Sequence, residues 1–266
     1  MAEQSKRYQL GLALSGGSAK GFAHLGVLKY LEEIGRKPDV ISGTSSGALI
    51  AAFYADGHTP DNIVELLSRK GFMAMTNFQI PQGGMFSTRN FHVYLESNLK
   101  HKRIEDLNIP LYIPVTDLDH GKCKVFSSGS LVDIVVASCS IPVLFNPVII
   151  DGIHYVDGGL YKNFPVSIIR PLCDTVIGVN LGLDPSPIYK KSLLSIADRC
   201  FQFIFQQNAQ NDRQLCDILL ESPDITGYSM FEINSARGIM QLGYEMAKKC
   251  IEEYNHEQSD ANNMVK

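Results

Sequence analysis

The sequence predicts an α/β fold in which a mainly parallel central sheet carries helices on both faces. Short apolar segments alternate with segments of helical period through the first half of the chain. Glycine-rich turns at residues 15–21 and 43–47 stand where a strand would pass into a helix. Such an alternation is typical of a parallel sheet covered by helices on both sides.

The first elements follow from hydrophobic period and end signals. Residues 8–14 (YQLGLAL) are mostly apolar and predict a short buried strand. Residues 22–34 predict a helix, because Phe22, Leu25, Leu28 and Leu31 recur at three-residue spacing and Gly35 follows as the end signal. Thr59-Pro60-Asp61 is a typical helix start. The predicted elements are strand 8–14, helix 22–34, strand 39–42, helix 48–55 and helix 60–69.

The remaining chain predicts further strands and two long helical segments. Residues 71–90 form an irregular connection rich in Met and Phe, and the polar tail 255–266 is expected to be disordered. The predicted strands are 111–116, 123–126, 148–150, 154–156 and 175–181, and the helical segments are 191–220 and 236–254. We expect one catalytic domain over 1–266, with a core at about 8–182 and a C-terminal helical segment at about 190–254 packed on it.

Composition excludes several classes of protein. The chain has 266 residues and a formal charge of −4, which disfavours nucleic-acid binding. The apolar, uncharged stretch at residues 134–150 is short for a bilayer span and contains two prolines, and the N-terminus predicts no signal peptide. Six cysteines without a C-x-x-C pair predict free thiols in the cytoplasm and no metal site.

A G-x-S-x-G pattern at residues 43–47 (GTSSG) is the first candidate for chemistry. Flanking glycines allow a sharp strand-to-helix turn that exposes the central Ser45 near a helix N-terminus, where an oxyanion is favoured. An ordinary polar loop is the alternative, and the apolar segments on both sides favour the nucleophile.

The turn at residues 15–21 (SGGSAKG) is the second candidate. Its adjacent glycines expose N–H groups that can bind an anion. A P-loop would need Lys-[Ser/Thr] after its last glycine, and a dinucleotide fingerprint would need glycine where Ser18 stands. An oxyanion hole is therefore the favoured use of this turn.

Asp157-Gly158-Gly159 is the third candidate. Alone it favours a tight turn, but beside an exposed serine Asp157 becomes a candidate general base. A Ser-Asp-His triad lacks its histidine, because only His256 follows Asp157, and His154 falls on the opposite face of an extended segment. A Ser–Asp dyad that needs no cofactor remains.

These three elements, in this order, resemble the patatin-like phospholipase family. The matching stretches are SGGSAKGFAHLGVL from Ser15, GTSSG from Gly43, ASCSIPVLFNPVIIDGIHYVDGG ending at Gly159, and Asn163-Phe164-Pro165. The resemblance implies a three-layer patatin-like fold with Ser45 as nucleophile, Asp157 as its dyad partner, and backbone N–H groups at Gly16, Gly17 and Ser18 as the oxyanion hole. The supporting positions are Gly43, Gly47, Lys20, Gly21, Gly158 and Gly159.

One position departs from the family pattern, since Ser18 replaces the third glycine of the loop. Its role as an oxyanion donor is in doubt if that position needs a positive φ, which serine adopts reluctantly.

The resemblance also implies a serine hydrolase acting on phospholipid, lysophospholipid or acylglycerol esters. Because the chain is mildly acidic, any transient contact with a membrane surface would have to be hydrophobic. The apolar residues of 71–90 fit an acyl-binding surface or a satellite core cluster equally well. Cys200, Phe201, Ile204 and Phe205 are expected to be core packing. The alternatives are a non-catalytic phosphate- or lipid-binding module and a nucleotide-dependent oxidoreductase.

Overall fold

The computed structural model describes residues 8–68, 77–78, 84–182, 191–228 and 235–264. Eight strands within these residues form a central sheet: β1 (Tyr8–Leu14), β2 (Val40–Gly43), β5 (Leu111–Asp117), β6 (Lys122–Phe126), β8 (Val148–Ile150), β9 (Ile153–Asp157), β10 (Cys173–Val179) and β11 (Ile218–Leu220). A small sheet contains β3 (Asn77–Phe78), β4 (Gly84–Ser87) and β7 (Val143–Phe145).

The central sheet is mainly parallel, as the sequence predicts. Its strand order is β11-β10-β1-β2-β5-β9-β8, with β6 also paired to β5. The strands from β11 to β5 run parallel, whereas β6 and β9 are antiparallel to β5, and β8 is antiparallel to β9. The parallel strands of such a sheet direct their carboxyl ends to one edge, where sites in α/β proteins are built.

Helices cover both faces of this sheet. Alternation along β1 places Leu12 and Leu14 in a large core cluster and Ala13 in a second, smaller cluster on the opposite face. The helices are α1 (Phe22–Glu33), α2 (Ser46–Ala55), α3 (Pro60–Ser68), α4 (Arg89–Asn98), α5 (Leu131–Ser138), α6 (Gly159–Lys162), α7 (Val166–Ile169), α8 (Leu193–Arg213) and α9 (Ala236–Met264). The expected three-layer α/β architecture is confirmed.

Helix α9 packs against α1 at a very close crossing. A Cβ atom at Gly26 would lie 1.9 Å from the carbonyl oxygen of Met240, and one at Gly243 would lie 2.0 Å from that of Ala23. Only glycine allows two helix backbones to approach so closely. Helix α9 is therefore packed closely on α1, the helix that follows the turn at residues 15–21.

Several sequence predictions need correction. The helical segment 191–220 is shorter, because α8 ends at Arg213 and Ile218–Leu220 joins the sheet as β11. Helix α9 continues to Met264 through most of the tail expected to be disordered, where neither glycine nor proline interrupts it. Cys200 and Ile204 are exposed on α8, so core packing is wrong for them, whereas Phe201 and Phe205 are half-buried and stacked.

The connection at 71–90 is not wholly irregular, because β3 and β4 pair within it and β4 also pairs with β7. The hypothesis of an acyl-binding surface there lies largely outside the described residues, at 71–76 and 79–83. In the described part of the chain, none of the helices has both the length and the apolar character needed to cross a bilayer.

Candidate active site

Ser45 occupies a strained turn between β2 and α2. It precedes the first residue of α2 and has φ 52° and ψ −121°, a conformation that non-glycine residues rarely adopt. The turn is packed tightly on both sides of Ser45. A Cβ at Gly43 would lie 2.6 Å from the Gly47 carbonyl oxygen, and one at Gly47 would lie 2.3 Å from that of Leu14, so both positions need glycine. Strain of this kind is typical of functional positions.

Ser138 holds the backbone of this turn. Its hydroxyl accepts a hydrogen bond from the Ser45 N–H at 3.0 Å and donates one to the Pro114 carbonyl at 2.9 Å. Ser138 is fully buried. Because the Ser45 N–H is already bonded, donors for a developing oxyanion must come from elsewhere.

Asp157 ends β9 and is buried against the turn. Its Oδ1 accepts a hydrogen bond from the Gly159 N–H at 2.7 Å. Burial raises the pKa of Asp157 to about 7, while the hydrogen bonds from Gly159 and the Ser45 hydroxyl act to lower the pKa. A carboxyl group with this pKa can exchange protons near neutral pH, which an ordinary aspartate cannot do efficiently.

The side chain of Ser45 lies close enough to Asp157 for its hydroxyl to act on the pKa of the carboxyl. Oδ2 of Asp157 is buried, and no hydrogen-bond partner for it lies among the described residues. Hydrogen bonds between catalytic groups are often long in free enzymes and shorten when substrate binds. Cys139, also buried, is a further neighbour of both side chains, and burial raises the pKa of its thiol well above the ordinary value.

The turn at residues 15–21, called the glycine turn from here on, lies beside Ser45. A Cβ at Gly16 would be 3.3 Å from Cβ of Ser45. The Gly16 N–H donates to the Asn163 carbonyl at 3.0 Å, so it is not free for an oxyanion, which is a correction to the sequence-based assignment. Among the described residues, the N–H groups of Gly17 and Ser18 donate no backbone hydrogen bond. These two remain the candidate donors.

Ser18 has a φ of 51°, so it adopts the positive φ of this position despite its side chain, and its N–H stays a candidate donor. Ser18 thus adopts the left-handed conformation that the family's glycine would adopt without strain. Lys20 follows in the 3₁₀ turn Ser18–Gly21, where its N–H donates to the Gly17 carbonyl at 3.1 Å. Gly21 lies against Ser46 at the start of α2.

A family model described as "Patatin-like phospholipase" matches residues 12–169, which is more than half of the chain. The protein belongs to the patatin-like phospholipase family. The resemblance seen in the sequence motifs is therefore confirmed, and the matched region contains the two glycine turns and Asp157.

Relatives in the family are much longer than this chain. "Patatin-like phospholipase domain-containing protein 6" of Mus musculus is 34% identical over 185 residues, covering 65% of this chain and 13% of that protein. "Lysophospholipase nte1" of Aspergillus fumigatus is 28% identical over 285 aligned residues, covering 94% of this chain and 18% of that protein. The chain thus spans less than a fifth of the length of these two relatives.

A solved structure supports the fold. VipD from Legionella pneumophila superposes with a TM-score of 0.53 at 14% identity, covering 93% of this chain and 67% of that one. At this identity the similarity shows a shared fold.

Sequence reasoning missed the role of the short helix α6 in this patatin-like site. The Gly159 N–H donates to Oδ1 of Asp157. The Lys162 carbonyl accepts a hydrogen bond from Oγ1 of Thr44 at 2.7 Å, and the Asn163 carbonyl accepts one from the Gly16 N–H. The segment 159–163 therefore contacts all three predicted motifs. The Asn163-Phe164-Pro165 resemblance was the available signal, and Ser138 stood within another matching stretch.

Two histidines near the motifs lie apart from Ser45 and Asp157, the candidate dyad. His154 is on β9, and its Nδ1 lies 3.1 Å from Oδ2 of Asp119, away from Asp157 as the strand alternation predicts. His24 is fully buried on α1 with Nε2 2.8 Å from the Ser15 carbonyl oxygen, and burial lowers its pKa to about 4. A neutral His24 thus packs beneath the glycine turn.

Proposed function

We propose that the protein is a serine lipid acyl hydrolase of the phospholipase A or lysophospholipase type. The observation that supports this most strongly is the strained Ser45 turn next to the buried carboxyl of Asp157. The names of the relatives, which include a lysophospholipase and phospholipase domain proteins, support the class of substrate.

In the proposed mechanism, Oγ of Ser45 attacks the ester carbonyl carbon while Asp157 accepts the hydroxyl proton. The oxyanion receives hydrogen bonds from the N–H groups of Gly17 and Ser18 and lies near the N-terminus of α2. When the tetrahedral intermediate collapses, Asp157 returns the proton to the leaving alcohol. Water then attacks the acyl-enzyme with Asp157 again as base, which releases the fatty acid and restores Ser45.

The buried carboxyl also disfavours the alternative of a phosphate-binding module. A phosphate cradled by the glycine turn would lie beside Asp157, where like charges repel. An ester carbonyl is neutral until attack, and by then the Asp157 carboxyl has taken up a proton. The site therefore suits a neutral electrophile better than an anion.

We further propose that residues 1–266 act as a single catalytic domain located in the cytoplasm, with transient contact at membrane surfaces. Phospholipids, lysophospholipids and acylglycerols are the proposed substrates. The location rests on the cysteine pattern. Release of fatty acid from defined panels of these three ester classes, at each acyl position, would identify the preferred substrate.

Labelling with a fluorophosphonate tests the nucleophile. We expect rapid labelling of the native protein and none of the Ser45→Ala variant. Ser46→Ala is the matched control, since it removes the adjacent hydroxyl, for which the structure gives no hydrogen-bond partner among the described residues. Unchanged labelling of Ser45→Ala, or labelling that depends on Ser46, would reject the proposed nucleophile.

A further inference from the structure

The short helix α6 needs external support to hold its place. It has only four residues, Gly159–Lys162, and isolated helices of this length are unstable. Yet its backbone, together with Asn163, contacts the carboxyl of Asp157, the hydroxyl of Thr44 and the N–H of Gly16. The relative positions of base, nucleophile turn and glycine turn thus depend on what fixes α6.

Helix α8 supplies this support through Asn208. Nδ2 of Asn208 donates to the Gly159 carbonyl at 2.7 Å and to the Leu160 carbonyl at 3.3 Å. Oδ1 of the same side chain accepts from the Asn163 N–H at 2.9 Å. One amide therefore holds both ends of α6.

The neighbours of Asn208 fix its direction. Ala209 is buried in the second core cluster, and Asp212, one turn further along α8, is buried with Oδ2 2.7 Å from Nζ of Lys162. The ring of Phe205, one turn earlier, lies against Gly159. The face of α8 that carries Asn208 is thus held against α6.

We propose that Asn208 is a positioning residue that holds α6 so that Asp157 and the glycine turn keep their places around Ser45. The inference rests on the proposed function and adds to it a residue of α8, beyond the segment 12–169 that the family model matches. Asn208 acts through Gly159 and Asn163 and does not contact the dyad itself.

The role has a consequence for the pH dependence of the reaction. The hydrogen bond from Gly159 stabilises the ionised form of Asp157 and so opposes the effect of burial. If Asn208 no longer fixes Gly159, this bond weakens and the pKa of Asp157 rises further. Activity then requires a higher pH.

The test compares Asn208→Ala and Asn208→Asp with the native protein, using a soluble p-nitrophenyl acyl ester. Asn208→Asp keeps the size and the acceptor for Asn163 but places a carboxylate against the carbonyls of Gly159 and Leu160. Asn211→Asp is the matched control, because it introduces the same charge at an exposed position of the same helix.

We expect kcat to fall at least about tenfold in both Asn208 variants, with KM changed less than about twofold. The acidic limb of the pH profile of kcat should move upward by roughly half a unit or more. Asn211→Asp should match the native protein in both measurements. Native kcat and an unmoved acidic limb in folded Asn208 variants would overturn the inference.

Loss of folded protein in both variants, seen by circular dichroism, would also overturn it, because Asn208 would then serve the fold alone. Failure of the proposed function is separately visible. In that case the native protein itself shows no ester hydrolysis or fluorophosphonate labelling that depends on Ser45.

Discussion

Replacing Asp157 by asparagine should abolish hydrolysis and at the same time stabilise the protein above neutral pH. The carboxyl is buried, and its pKa is raised from 3.8 to about 7. The folded state therefore binds a proton that the unfolded chain has already released between these two pH values. By linkage, the free energy of unfolding falls as pH rises from about 4 to 7.

The size of the effect follows from the shift in pKa. Three pH units correspond to about 4 kcal/mol above pH 7, of which roughly 3 kcal/mol is lost between pH 5 and pH 8. An asparagine side chain bears no charge at any of these pH values, so the Asp157→Asn variant should lack this loss. The buried His24, which has the opposite pH dependence, is common to both proteins and cancels in the comparison.

Urea unfolding at pH 5 and pH 8, followed by circular dichroism because the chain has no tryptophan, measures the difference. Asp174→Asn, which neutralises an exposed carboxylate, is the control and should retain the native pH dependence. If the unfolding free energies of the native protein and of Asp157→Asn change equally between the two pH values, the pKa of the Asp157 carboxyl is not raised by burial.

Three further perturbations address the same site. The kcat/KM of the native protein should rise about tenfold per pH unit up to about pH 7 and then level off, because Asp157 must be ionised to accept the proton; a flat profile from pH 5 would contradict this. Ser138→Ala should lower kcat at least about tenfold and destabilise the fold by about 1–3 kcal/mol, since it leaves the Ser45 N–H without its acceptor. Ser140→Ala, which removes a buried hydroxyl bonded to a helix carbonyl, should leave kcat within about twofold, so equal losses in the two variants would refute a special role for Ser138. Ser18→Gly should raise the free energy of unfolding by about 1 kcal/mol, because glycine adopts the left-handed conformation of Ser18 without strain. Ser18→Ala should give no gain. Chemical denaturation measures both variants, and equal stability of the two would contradict strain at this position.

The parts of the fold that local pattern determines could be read from the sequence. The first strand has the predicted bounds, Tyr8–Leu14, because a short, mostly apolar segment followed by a glycine-rich turn is typical of a buried strand. The Ser45 turn was equally accessible, since its glycines are needed for contacts within a few residues and with the adjacent strand. The short strand Ile218–Leu220 was not, because three apolar residues after a helix carry no period of their own.

The support of the site was hidden for a different reason. Asn208 lies in a polar stretch of α8 beside glutamines and other asparagines, and nothing local distinguishes it from Asn211. Its importance comes from three hydrogen bonds to residues 45 to 49 positions earlier in the chain. Pairings over such separations depend on the assembled fold. The occupied N–H of Gly16 escaped prediction for the same reason.

The close packing of α1 against α9 at Gly26 and Gly243 limits how far the chain can be shortened from its C-terminal side. Truncation at residue 169 would remove α9 from the surface of α1 around Ala23 and Gly26. The apolar side chains that α9 covers would then be exposed to water. Fusion proteins and shortened expression fragments should therefore extend at least through Ile251, the last residue of α9 that is buried among the residues whose burial the structure describes.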